Sequence, residues 1–142
     1  MSEARSEERK KRQERGEPVP QDLARGLAEA ALEKKAEEVV LLDLRGITSM
    51  TDYFVVATVS TDVHSRAVSE SVERWAREEL GERPWHVEGT EGARHWVLLD
   101  FVDVVVHLFQ PEARGYYGLE RLWGDAPREE FADSDISDAT DR

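Results

Sequence analysis

The chain has 142 residues, 39% of them hydrophobic and 35% charged, which fits one domain with part of its length left in water. Its 19 basic side chains meet 31 acidic ones, and the resulting charge of −12 excludes the basic footprint of a direct nucleic-acid binder and favours a basic protein surface as partner. The absence of cysteine excludes a disulfide scaffold, a thiolate zinc site, an iron–sulfur cluster and cysteine catalysis.

Residues 1–17 hold six basic and five acidic side chains and no large apolar residue after Met1. Such a segment buries too little surface to offset its ordering entropy, so a disordered tail is expected. It has no apolar stretch of a secretory signal. Glu3, Glu7, Glu8, Glu14 and Glu17 argue against an acid-poor transit peptide, and no run approaches the roughly 18–20 apolar residues that span a bilayer. A cytoplasmic protein is expected.

Pro18 and Pro20 end the tail and Asp22 is the expected N-cap. Leu23, Leu27, Ala30, Ala31 and the stem of Lys34 then recur at helical spacing, which predicts a helix over 22–36. Residues 38–44 form a short apolar run rich in β-branched side chains, a strand buried on both faces, closed by Arg45-Gly46. A second such strand is expected over 52–59. Ser60, Thr61 and Asp62 offer caps for a long helix whose stripe is Val63, Ala67, Val68, Val72, Trp75, Ala76 and Leu80, with Gly81 as its stop. Beyond Pro84 the pattern returns to strand: 85–88, ended by Gly89, then 95–100 and 102–109 as a tight hairpin around Asp100-Phe-Val-Asp103. Pro111 opens a last helical stretch through Ala113, Tyr116, Tyr117, Leu119 and Leu122 to Trp123. Residues 125–142, with seven acids and two arginines, are expected to be a second disordered tail. The domain proper, 18–124, keeps 19 acids against 11 bases, or −8. The expected fold class is α/β, a mixed five-stranded sheet flanked by helices, with helix 62–80 as a crossover.

No catalytic constellation emerges. His64, His86, His95 and His107 lack the close-spaced pairs that zinc sites use, and structural or surface roles explain them better. Asp100 and Asp103 invite a Mg²⁺ or acid/base role, yet aspartates at a hairpin serve the turn by accepting from nearby backbone amides. Ser60 and His64 are spaced to touch, but no nucleophile elbow surrounds them and capping accounts for Ser60. No glycine-rich dinucleotide motif or P-loop is present. What stands out is the aromatic density of Trp85, Trp96, Phe101, Phe109, Tyr116, Tyr117 and Trp123. Phe109 and Trp75 are expected in the core, whereas Trp and Tyr on a half-covered sheet face are the residues that anchor interfaces. Glu88 and Glu120 would add charge complementarity to a basic partner.

Thr51-Asp-Tyr-Phe-Val-Val-Ala-Thr58, His64, Val87-Glu-Gly89, Trp96-Val-Leu-Leu-Asp100, Asp103-Val-Val-Val-His107 and Tyr116-Tyr-Gly-Leu-Glu-Arg-Leu-Trp123 stand in the order seen in the Iojap family, whose bacterial members are ribosomal silencing factors. The resemblance covers roughly 22–124. It implies a fold similar to the nucleotidyltransferases without their catalytic carboxylates, and hence no enzyme, no cofactor and no metal. It also implies binding to the large ribosomal subunit through ribosomal protein number fourteen, a steric block to small-subunit joining, and translational repression when nutrients are scarce, with no contact to nucleic acid or membrane required. By position, the partner contact it implies comprises Glu88, Trp96, Asp100, His107, Tyr117, Leu119, Glu120 and Trp123. Val59 and Val102 depart from the family, which favours Gly there, as does Gly118, where an acid is common. Two other expectations remain beside this reading: a metal-dependent nucleotidyltransferase, the weaker one, and a homodimer formed through the apolar hairpin face or helix 62–80.

Overall fold

Side chains alternate above and below a pleated strand, so strands apolar at every position need a roof on both faces. The structure, a computed structural model describing residues 3–16 and 18–132, supplies one roof in full and the other in part. Its elements run α1 (Glu3–Arg15), α2 (Pro20–Glu33), β1 (Glu37–Asp43), β2 (Tyr53–Thr58), α3 (Asp62–Leu80), β3 (His86–Glu88), β4 (Trp96–Asp100), β5 (Val104–Phe109), α4 (Pro111–Tyr117), α5 (Leu119–Leu122) and β6 (Arg128–Phe131). The strands form one sheet in the order β3-β4-β5-β2-β1-β6. Only β2 and β5 pair in parallel, so the sheet is mixed, as expected. Among the described residues it has six strands, one more than the sequence suggests.

On the first face Val39, Leu41, Val55, Ala57, Val97, Leu99 and Val106 pack beneath Leu23, Leu27 and Ala31 of α2 and Val68, Val72 and Ala76 of α3. Trp75 lies across Gly26, where an added Cβ would overlap its ring, so a glycine lets the two helices close. Helix α2 begins at Pro20 with Val19 as N-cap, not at Asp22. Proline suits the first helical position because its φ is preset and no N–H goes wanting there, which leaves Asp22 as an acid in the positive first turn. Helix α3 is capped as expected: Thr61 Oγ1 accepts from His64 N–H at 3.0 Å and Gly81 closes the helix at φ 65°. Val63 and Leu80, expected in its buried stripe, are 73% and 37% exposed because they sit at the two ends of the helix. Arg94, buried before β4, donates to Ser65 Oγ at 3.1 Å and Ser69 Oγ at 2.9 Å and ties that strand to α3.

The second face carries Val40, Leu42, Phe54, Val56, Val105 and Phe109, covered among the described residues by the short α4 and α5 and by Met50, Trp123 and Ala126 from the loops. Gly118, at φ 58°, divides the single expected helical stretch into these two pieces. The hairpin between β4 and β5 closes through Asp103 N–H to Phe101 O at 2.9 Å, with Val102 at φ 74°. A β-branched residue is strained in that region, which glycine enters without steric cost.

Two segments expected as tails hold regular structure. Residues 3–15 form α1, which docks through arginines rather than apolar side chains. Residues 128–131 form β6, which pairs with the outer edge of β1 and packs Phe131 against the first-face core. Backbone ladder bonds need no apolar pattern, so so short and charged a strand leaves little trace in sequence periodicity. The expected disorder of 133–142 lies outside the described residues.

Candidate partner-binding face

Register gathers most of the expected contact residues. Glu88 pairs opposite Leu98, Leu98 opposite His107, and Trp96 opposite Phe109. Opposed residues share a face, so Glu88, Trp96, Asp100 and His107 all belong to the second, half-roofed side of the sheet. Leu119 and Trp123 pack onto the same side from above, and Glu120 stands beside them. The eight expected residues therefore lie on one side of the sheet, though not in equivalent environments.

Trp96 is the hinge of an aromatic row. Its ring lies 4.6 Å from Tyr117 and 4.9 Å from Phe109, and its Nε1–H donates to His107 Nδ1 at 3.1 Å. His107 is 3% exposed, with Phe54 against its ring at 4.5 Å. Burial lowers its pKa to about 3, with nearby Asp100 acting in the opposite direction. Because Nδ1 accepts, the neutral ring carries its proton on Nε2, which has no hydrogen-bond partner among the described residues. His107 thus supports the face from below, and a docked protein would not reach it without displacing the core.

Asp100 is likewise occupied from within. It accepts from Val102 N–H at 2.8 Å and forms a two-point pair with Arg5, at 2.8 and 3.1 Å. Asp103 meets Arg9 at 2.6 Å; burial raises its pKa, and Arg9 and Arg12 counter that rise. Glu120 joins Arg114 and Arg128, each at 2.9 Å, and the bond from Arg114 holds its carboxyl below the ordinary range. Its structural work is to pin α5 to α4 and β6. Glu88 is exposed at the sheet edge and bonds His86 Nε2 at 2.8 Å.

The surface that faces outward is apolar and aromatic. Tyr117 is 51% exposed, Tyr116 81% and Leu122 74%. Beside them His95, Gln110, Pro111, Ala113, Tyr116 and Tyr117 line an open groove of about 760 Å³. Tyr116 and Leu122 were not among the expected contacts. Their signal in sequence is Gly118, which ends α4 and keeps both helical pieces too short to bury every apolar residue they carry.

The residues weighed for chemistry are otherwise engaged. Among the described residues no group of three or more His, Cys, Asp or Glu is placed to hold a metal ion. Ser60 Oγ does lie 3.1 Å from His64 Nδ1, but that nitrogen also accepts from Ser60 N–H at 2.9 Å, while Nε2 meets the Lys34 carbonyl at 2.7 Å. The imidazole links the end of α2 to the start of α3, and its lone pair is not available to activate a hydroxyl. No helix of the described residues is long and apolar enough to cross a membrane.

The geometry is that of an α/β domain with one sealed sheet face and one half-roofed aromatic face. The profile of the family described as "Ribosomal silencing factor during starvation" matches residues 17–142. Ribosomal silencing factor RsfS of Halalkalibacterium halodurans is 41% identical over 111 residues, covering 78% of this chain and 93% of that protein. The RsfS of Bacillus subtilis is 42% identical over 100 residues, covering 70% and 83%. A crystal structure of a Chromobacterium violaceum protein superposes with a TM-score of 0.71 at 34% identity, covering 75% of this chain and 88% of that one. The chain belongs to the RsfS family of ribosomal silencing factors. Its relatives bear the name of regulators rather than of enzymes.

Proposed function

We propose that this protein binds the large (50S) ribosomal subunit through ribosomal protein number fourteen, sterically blocks joining of the 30S subunit, and represses translation under nutrient limitation. It acts in the cytoplasm, without catalysis, metal or cofactor. The observation that carries the reading is the outward aromatic row of Trp96, Tyr117 and Tyr116 beside an open groove, on an acidic domain of a silencing-factor family. Tyr and Trp supply contact area at small entropic cost, and acidic surroundings select a basic protein over phosphate. A steric block requires only that the occupied face be one the other subunit needs.

The test is sedimentation of purified 50S and 30S subunits at a Mg²⁺ concentration that favours association, with and without the protein. The protein should travel with the 50S peak while the 70S peak falls. Should it stay at the top of the gradient while 70S forms normally, the reading fails.

A further inference from the structure

Helix α1 lies ahead of the family match, which starts at residue 17. Its sole hydrophobic side chain is Ala4, so apolar burial cannot hold it in place. A row of guanidiniums does. Arg5, Arg9 and Arg12, at i, i+4 and i+7, share one helix face. Arg5 grips both oxygens of Asp100 and also donates to the Val102 carbonyl at 2.9 Å. Arg9 bridges Asp103 at 2.6 Å and Asp52 at 2.9 Å, and Arg12 pairs with Glu82 and lies 3.6 Å from Asp103.

The four carboxylates come from three separate stretches: the approach to β2, the turn after α3, and the β4–β5 hairpin. The fold brings them together at one end of the sheet, where Asp100 and Asp103 are 7% and 4% exposed. These exposures hold with α1 in place, and carboxylates gathered at one end of the sheet, Asp52 acting on Asp103 as a like charge, favour a cationic occupant. A 13-residue helix has little stability of its own, and here it is held mainly through its arginines, by ion pairs and by bonds from Arg5 to backbone carbonyls. Such an occupant can exchange for another with the same arginine spacing.

We propose that Asp52, Glu82, Asp100 and Asp103 form a docking socket for an arginine-bearing helical segment of a basic protein, and that α1 fills this socket in cis as a displaceable self-ligand. The proposal does not rest on the ribosomal reading, and its test uses no ribosome.

The probe is a fluorescent peptide with the sequence of residues 3–16, titrated into two full-length proteins, the wild type and R5Q/R9Q/R12Q. A tethered helix competes at a millimolar effective concentration, so the triple variant should bind the peptide at least about tenfold tighter than the wild type. Binding should fall steeply with NaCl, and adding Asp103→Asn to the variant should abolish it. A second peptide, keeping only the three arginines at their spacing on an alanine–glutamine helix, should also bind, and its lysine counterpart more weakly, because lysine cannot form the two-point contact. Independently of any variant, wild-type α1 amides should lose protection from hydrogen exchange between 50 mM and 1 M NaCl while those of β2 and β5 keep theirs. Three results would each overturn the proposal: a triple variant that binds no better than wild type or loses its cooperative thermal transition, an α1 equally protected at both salt concentrations, or failure of the arginine-only peptide to bind.

Discussion

At the scale of single residues, the burial of His107 beneath Trp96 and Phe54 has a consequence for acid stability. The folded state holds His107 neutral down to about pH 3, whereas the unfolded chain protonates it near the ordinary histidine value of 6.5. A lowered folded pKa means that stability is present in full above the unfolded value and is lost as pH falls below it. Between pH 7 and pH 5 this one imidazole should therefore remove about 2 kcal/mol. His107→Gln keeps an acceptor for the tryptophan but cannot titrate. Urea midpoints at the two pH values should show the wild type losing that much more than the variant, and equal losses would refute the assignment. The same residue marks a limit of sequence reading. Family likeness names His107 and Trp96 together as contact residues, but it does not say which positions on a face lie beneath a roof. That depends on where Phe54 and the pieces α4 and α5 come to rest.

The scale of elements shows why some of the fold is legible and some is not. The strands β1, β2 and β5 are apolar runs, and α3 carries a cap, a stripe and a glycine stop, so each is written in local sequence. Helix α1 and strand β6 are not, because arginine pairs and backbone ladder bonds hold them and neither leaves a hydrophobic period. Between these cases stands Gly89, which reads simply as a turn residue. It has φ 83°, and a Cβ there would overlap the backbone carbonyl of Trp96. The close approach of β3 to β4 thus depends on a missing side chain, and backbone cannot move aside as a flexible side chain would. Left-handed strain and steric overlap together predict that Gly89→Ala costs at least about 2 kcal/mol. It should also loosen β3, and with it the exposed Glu88 at the edge of the aromatic face. Chemical denaturation measures the first effect, and amide exchange of residues 86–88 the second. A loss below about 0.5 kcal/mol would show that the strands tolerate the methyl group.

At the scale of the whole molecule, charge and aromatic surface are suited to different stages of docking. Residues 18–124 carry 19 acids against 11 bases, while the arginines 5, 9 and 12 are neutralised against the acids of this stretch from within. Distributed charge acts at long range and sets how often a basic partner is met in a useful orientation. An aromatic anchor acts only after contact and sets how long the complex lasts. The two contributions are separable by kinetics on immobilised large subunits. Raising NaCl from 50 to 500 mM should slow association of the wild type by about tenfold and leave dissociation nearly unchanged. Tyr117→Ala, which removes an exposed ring resting on Trp96 and no hydrogen bond of the core, should instead speed dissociation about thirty-fold, equivalent to about 2 kcal/mol, with association little altered. An association rate indifferent to salt would exclude steering by the acidic domain. A Tyr117→Ala protein that folds normally and dissociates at the wild-type rate would move the anchor elsewhere on this face, with Tyr116 and Leu122 as the remaining large exposed side chains beside it.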